Sequence, residues 1–388
     1  MIAMKEITRN KNNKEEKSQK LKALLITNKG LESVAVKELK EILKIKEENI
    51  VIQDRAIIFE SDLNSLCYLT YMSRTAIRIL ILLDTIKFKE LEDIKVYDNY
   101  KLFLQNRTFV VRCSRVGEHN FSSVDAEQHI AHSMEGQADL KNPDIHFLAF
   151  INNNICYFGI DLAGFDLSKR DYKVFSNKDS LKGSIAYSAL RIAGWNPKKI
   201  LADTFSKDGS IVIEAALYLS NRSPNFFRKE QLVFTKFHDY KFDDEYKESN
   251  HELMQGVNHD IIAMDSSMNS VAAVKKNSKI AGVEQLINAR KVSIDWLDLK
   301  VDERSVDCII TYYTYPAKHK VTEKELERYC NEFFYQAEYI LKEDGTICLI
   351  TRYDLLPVKF AEKYKFKLIE KHEVMQGAQL LYILVFRK

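Results

Sequence analysis

Asp203 to Ala216 reads DTFSKDGSIVIEAA, and the fold turns on this stretch. It begins at the end of an apolar strand pattern, Ile200 to Phe205, passes through a short polar turn containing Gly209, and enters a helical pattern over Val212 to Leu219. The alternation continues on both sides. Upstream, Leu181, Ile185, Ala189 and Ile192 have helical spacing and precede Gly194, a helix stop. Downstream, strand patterns at Ile261 to Met264, Ile287 to Ser293, Val306 to Tyr312 and Thr346 to Thr351 alternate with helical ones at Ser270 to Ile280 and Leu326 to Leu341. Such alternation predicts an α/β domain, a parallel sheet with helices on both faces. Lys367 to Val374 and Leu380 to Arg387 lie close enough to form a hairpin, so the sheet is expected to end antiparallel. Lys241 to Glu252 is polar and reads as a surface insertion.

The N-terminal half has a different rhythm. Ala23 to Thr27 is a short apolar run, and Leu31, Val34, Val36, Leu39 and Leu43 mark a helix after Gly30. Strands at Ile50 to Gln53 and Ala56 to Glu60, a helix near Leu63 to Met72 and a strand at Ala76 to Leu83 complete an α+β layer. A second α+β block spans about Leu102 to Leu162, with strands at Thr108 to Ser114, His146 to Ile151 and Ile155 to Asp161. Its helix starts near Ser123, where Asp125 and Glu127 suit the helix dipole. The expected division is a polar tail at 1–20, an N-terminal domain at 21–100, a second at 101–165, a linker at 166–179 and the α/β domain at 180–388.

The 388 residues carry 58 basic and 55 acidic side chains, a formal charge of +3, so any basic face is local. The apolar run Ile79 to Leu83 falls far short of the ~20 residues a membrane-spanning helix needs, and the charged N-terminus lacks the apolar core of a signal peptide. Cys67, Cys113, Cys156, Cys308, Cys330 and Cys348 are scattered, with no C-x-x-C pair. They read as buried free thiols of a cytoplasmic protein, and no metal site is expected.

Three stretches resemble a known family. Phe109 to Ala131, FVVRCSRVGEHNFSSVDAEQHIA, resembles the core of a THUMP RNA-binding domain, and Asn142 to Gly164, NPDIHFLAFINNNICYFGIDLAG, resembles its closing strands. Asp161 to Leu181 looks like the junction into a class I S-adenosylmethionine methyltransferase domain. The resemblance runs from NKGLESVAVKELKEI at Asn28 to the C-terminal hairpin, and the family is that of THUMP-containing tRNA or rRNA guanine-N2 methyltransferases. It implies a ferredoxin-like and THUMP region followed by a Rossmann-like domain. It also implies recognition of structured RNA, typically the 3′ end of a tRNA. The candidate RNA contacts are Arg107, Arg112, Arg115 and His119, with Lys169 and Arg170 at the domain's exit, since clustered Lys and Arg displace counterions from phosphates. Arg112 and Arg115 are an odd number apart and so face opposite sides unless the strand ends between them.

The family's cofactor loop is roughly D-P-x-C-G-S-G-T, followed by I-E-A-A. Asp203, Phe205, Gly209, Ser210 and Glu214 to Ala216 match it; Thr204, Lys207 and Asp208 replace the proline, the first glycine and the serine. Lys207 puts bulk where the ligand should pass. Asp265 matches the residue that hydrogen-bonds the ribose, and Asp295 with Trp296 the place of the adenine. The family's N/D-P-P-Y motif, whose amide or carboxylate oxygen orients the base's amine, is here Tyr312-Tyr313-Thr314-Tyr315. From Cys308 to Lys320 there is no Asp, Asn, Glu or Gln. Tyr315 aligns with the stacking aromatic and Tyr312 with the missing acceptor. Two lesions, in the cofactor loop and the catalytic loop, point to an RNA-binding homologue impaired in catalysis, acting alone or beside a protein partner such as an active paralogue. The alternative is an active guanine-N2 methyltransferase with a divergent loop, in which Asp203, Asp265 and Asp295 still frame S-adenosylmethionine.

Overall fold

The computed structural model describes residues 19–176, 179–238, 240–242, 261–313 and 322–388. All but two residues of the expected polar tail, most of the expected insertion, and Tyr315 lie outside them. Two units are formed. The first holds the chain up to Thr27, Val36–Leu167 and Arg228–Phe242; the second holds Asn28–Ala35, Ser168–Phe227 and the described residues from Ile261 to Lys388. This division differs from the expected boundaries in three places. Residues 228–242 join the first unit, with Phe234 fully buried, while 28–35 join the second. The supposed linker buries Leu167, Ser168, Arg170 and Tyr172.

The first unit is built on one eight-stranded sheet. Its strands are β1 (Leu21–Ile26), β2 (Val51–Gln53), β3 (Ala56–Ser61), β4 (Arg78–Lys87), β5 (Thr108–Val116), β6 (Gln137–Ala138), β7 (Ile145–Asn152) and β8 (Ile155–Asp161), in the order β2-β3-β1-β4-β8-β7-β5-β6. The two blocks seen in the sequence thus share a sheet, sewn together by the antiparallel pair β4 and β8. Helix α1 (Glu32–Leu43) carries Glu38, whose buried carboxylate accepts from Ser73 Oγ (2.8 Å) and from the backbone N–H groups of Arg74 (2.9 Å) and Thr75 (3.0 Å) just after helix α2 (Leu63–Met72). A short helix, α3 (Lys101–Leu104), precedes β5. Helix α4 (Ser123–Ser133) opens with a capping box: Ser122 accepts from Asp125 N–H, and Asp125 accepts in return from Ser122 N–H at 2.7 Å. Asp125 lies in the first turn as expected, and it also closes the capping box. Glu127 does something else, accepting from Cys113 N–H at 2.9 Å and tying α4 to β5.

The second unit carries helices α5 (Gly183–Ile192), α6 (Ser210–Leu219), α7 (Met268–Ile280), α8 (Glu323–Ile340) and α9 (Leu355–Lys363), the last unforeseen. Its strands are β9 (Leu201–Asp203), β10 (Ile261–Asp265), β11 (Ile287–Lys291), β12 (Val306–Tyr313), β13 (Leu341–Thr351), β14 (Lys367–Gln376) and β15 (Gln379–Arg387). They run in the order β11-β10-β9-β12-β13-β15-β14. The first five are parallel, and β15 is antiparallel to both β13 and β14. This is the parallel sheet with an antiparallel hairpin that the patterning predicts. The hairpin turns at Gly377, which adopts a left-handed φ of 64°. Leu31, Ile185, Val212, Ile310, Val374 and Ile383 share one core cluster of this unit.

Every cysteine is a free thiol, and all but Cys113 are buried. Burial raises the pKa of each thiol, of Cys308 to about 11 and of Cys113 and Cys330 to about 12. A thiol-reactive dye at pH 8 should therefore label almost nothing in the native protein and six groups after denaturation. Rapid native labelling of several thiols would contradict the burial.

Candidate functional site

Three parallel strands, β9, β10 and β12, bring their carboxyl ends together, where sheets of this kind bind ligands. Asp203 closes β9. Its buried carboxylate accepts from Thr311 Oγ1 on β12 at 2.7 Å and from Phe205 N–H at 3.2 Å. Burial lifts its pKa to about 7, although these hydrogen bonds and the nearby Lys207 ammonium pull the other way. The loop then turns through Lys207, at a left-handed φ of 50°, and Gly209, at 84°, into α6. Phe205 packs against Tyr313 at 5.0 Å and Phe333 at 6.3 Å.

Asp265 closes β10, and both of its oxygens accept backbone N–H groups, from Lys207 at 3.0 Å and from Ser267 at 2.9 Å. Asp208 is similarly engaged. It accepts from Ser180 Oγ and from Ser210 Oγ (2.7 Å), and Lys173 Nζ stands 3.5 Å away. The negative charge that would oppose a ligand's carboxylate is thus already countered within the chain.

Tyr312 lies near the end of β12, buried, with Lys207 Nζ 4.7 Å from the centre of its ring. Neither the Lys207 ammonium nor the Tyr312 hydroxyl has a hydrogen-bond partner among the described residues. Burial raises the pKa of the Tyr312 phenol, an effect the nearby Arg352 guanidinium offsets in part. Desolvation likewise lowers the Lys207 pKa to about 8, against the pull of Asp179, Asp208 and Asp265, while Arg352 adds to the lowering. Leu181, Asp203, Phe205, Ser206, Lys207, Asp208, Ser210, Ile211 and Tyr312 line a partly open pocket whose cavity is about 10 Å³, room for about one water.

Of the cofactor residues expected from the sequence, Asp203 and Phe205 line this pocket, while Gly209 and Asp265 shape its loop from behind. Asp295 stands apart: its exposed carboxylate takes a hydrogen bond from Ser293 Oγ (3.1 Å) and lies 4.0 Å from Arg328. Leu181 and Lys173 went unrecognised as parts of the site; they are ordinary residues that the tertiary fold brings to the loop.

On the first unit, Arg112 is exposed and lies 3.5 Å from Glu127, while Arg115 donates from Nε to Ser123 Oγ (3.4 Å) and sits over the Phe121 ring at 5.5 Å. β5 runs past both arginines, yet both reach α4, Arg112 towards Glu127 and Arg115 towards Ser123. His119 stacks on Phe88 and meets Phe121, with Nε2 2.7 Å from the Asn153 carbonyl oxygen. Arg107 donates to the Phe103 carbonyl at 3.1 Å. On the second unit, Lys169 is exposed. Arg170 is not available to RNA. Its side chain is wholly buried, and Nε and Nη2 donate to the Glu214 carboxylate at 2.7 and 3.2 Å. A cation counted into a basic patch proves to be half of an internal ion pair.

The strand order, the terminal hairpin and the loop after β9 define a class I, Rossmann-like methyltransferase fold, carried in one chain with an RNA-binding-type α+β unit. Models of the RlmL ferredoxin-like domain, the THUMP domain and the RMKL-like methyltransferase domain match residues 22–80, 92–161 and 170–381 respectively. The last match covers more than half of the chain, which belongs to the RMKL-like methyltransferase family. A tRNA (guanine(6)-N2)-methyltransferase of Methanocaldococcus jannaschii is 29% identical, over 90% of this chain and 95% of its own length. The protein of the same name from Archaeoglobus fulgidus is 28% identical, over 92% and 90%. Among solved structures, TrmN from Thermus thermophilus superposes with a TM-score of 0.68 at 18% identity, covering 95% of this chain and 99% of its own. SMU.472, whose crystal structure is a complex with SAH, superposes at 0.74 and 17%, covering 95% and 98%.

The family implies S-adenosylmethionine, and the described residues do not fit it as they stand. That cavity, about 10 Å³, is far below the roughly 300–1,000 Å³ of a small-molecule site. An unpartnered ammonium already lies in that space, where the cofactor would bring a sulfonium of like charge.

Proposed function

We propose that this protein binds structured RNA, tRNA above all, and does not transfer methyl groups by its family's route. The observation that carries the reading is Tyr312. Tyr312, which the resemblance aligns with the residue whose amide or carboxylate oxygen orients the base's amine, is a buried phenol. A phenol has one hydroxyl, with a pKa near 10, and does not reproduce a carboxamide acceptor. Without such positioning in the transition state the rate falls by roughly 10² to 10⁴. The RNA half of the reading is supported by the THUMP match, by Arg112 and Arg115 at α4, and by the names of the two archaeal relatives.

The test joins binding to chemistry. The full chain should retard bulk tRNA in a gel, with a strong dependence on salt. Replacing Arg112, Arg115 and Lys169 together by alanine should lower the slope of log affinity against log salt by about 2 to 3, roughly one unit for each phosphate no longer neutralised. Incubated with tRNA and methyl-labelled S-adenosylmethionine, the same preparation should leave the RNA unlabelled. Stoichiometric label in the tRNA would overturn the reading in favour of an active enzyme, and an unchanged salt slope would remove the phosphate contacts assigned to these three residues.

A further inference from the structure

We propose that Lys207 is a built-in occupant of the cofactor pocket, and that this one side chain excludes S-adenosyl ligands. The inference goes beyond the reading above, which concerns RNA and the handling of the base. Its basis is geometric. Lys207 stands where the family's loop has a glycine, in a left-handed conformation that glycine adopts without strain and a lysine adopts at some cost. Its side chain turns inward, not out to water, and rests its ammonium on the Tyr312 ring at 4.7 Å. A cation over an aromatic face is attracted by the ring quadrupole, more strongly when desolvated. That attraction offsets part of the cost of burying an ammonium with no acceptor among the described residues.

The main chain contributes as well. Lys207 N–H donates to Asp265 at 3.0 Å, so the loop is held against one oxygen of the carboxylate expected to meet a ribose. Thr204 Oγ1, in the position of the family's loop proline, is another buried polar atom without a partner among the described residues. The loop is thus arranged around its own lysine. An entering ligand has to displace an ammonium from an aromatic face and find room beyond the present cavity of about 10 Å³.

Lys207→Gly removes both the bulk and the charge at a φ that suits glycine, so the variant is expected to fold. Lys207→Met keeps most of the bulk and removes the charge. Calorimetric titration of the full-length wild type with S-adenosylhomocysteine should give no saturable heat. Lys207→Gly should bind it at least tenfold more tightly than the wild type, and Lys207→Met should stay near the wild type, since bulk is retained. Tryptophan fluorescence melts of all three confirm that a folded pocket is being titrated. Wild-type affinity equal to that of Lys207→Gly would overturn the proposal, as would a folded Lys207→Gly that binds nothing. Neither result touches the labelling test above, which asks whether methyl groups reach RNA.

Discussion

Replacing Arg170 with alanine is expected to destabilise the second unit by about 3–5 kcal/mol, the range for breaking a buried ion pair by removing one partner. The side chains of Arg170 and Glu214 are both wholly buried. Glu214 Oε1 also accepts from the Tyr172 hydroxyl at 2.8 Å, and burial, followed by the Glu214 charge, raises the Tyr172 pKa well above the ordinary phenol value. Without the guanidinium, a carboxylate remains in the core with a single phenol for company. The surroundings are built to the pair's dimensions. A Cβ on Gly183 would lie 2.5 Å from Arg170 Nε and 2.7 Å from Glu214 Oε1. The chain has two tryptophans, Trp195 and Trp296, and both belong to the second unit, so denaturant melts followed by tryptophan fluorescence report on that unit alone. The double variant Arg170→Met with Glu214→Leu should recover most of the stability, because it removes the orphaned charge along with its partner. A shift under about 1 kcal/mol for Arg170→Ala would mean that Glu214 finds another partner. The pair also matters to the pocket. Arg170 and Tyr172 hold the segment that carries Lys173, Ser180 and Leu181 against α6, and those residues surround Asp208.

The second unit's architecture was legible because alternating strand and helix patterns are local, and a parallel sheet follows from them. The terminal hairpin was legible for the same reason. The joining of the two N-terminal blocks was not, since β4 and β8 are separated by the whole of the second block and their pairing leaves no mark on either segment. Among the candidate site residues, Asp203, Phe205 and Tyr312 were named because the resemblance aligns them residue by residue, and they line one pocket; Lys207 was visible as a departure. That its ammonium turns onto Tyr312 could not be read, since orientation depends on where β9 and β12 meet. Arg170 was misread because a charge count records how many cations a stretch contains and not which of them are buried.

The other large effect concerns the segment that the domain boundaries passed over. Gly30 stands at φ 88°, and a Cβ there would lie 1.8 Å from the Glu373 carbonyl oxygen, a distance no small adjustment relieves. The neighbouring chain is pinned on both sides: Asn28 Nδ2 donates to the Met375 carbonyl at 3.0 Å, Met375 N–H to the Lys29 carbonyl at 3.1 Å, and Ser184 Oγ to Asn28 Oδ1 at 2.8 Å. Leu31, the next residue, is fully buried in the core that Val374 and Ile383 share. Gly30→Ala therefore faces left-handed strain of about 1–2 kcal/mol, together with about 1–3 kcal/mol for forcing β14 aside. The expected destabilisation is roughly 3 kcal/mol or more in the same fluorescence-monitored melt. Gly194→Ala and Gly377→Ala separate the two contributions. Both glycines have positive φ, 67° and 64°, and a Cβ on either meets nothing within 4 Å, so only the conformational part should appear. If Gly30→Ala proves no worse than these, residues 28–31 are not held against β14. If it is worse by the expected margin, the methyltransferase-like unit is discontinuous in sequence, and a fragment cut at Ser180 lacks Leu31, Arg170 and Tyr172 from its own core.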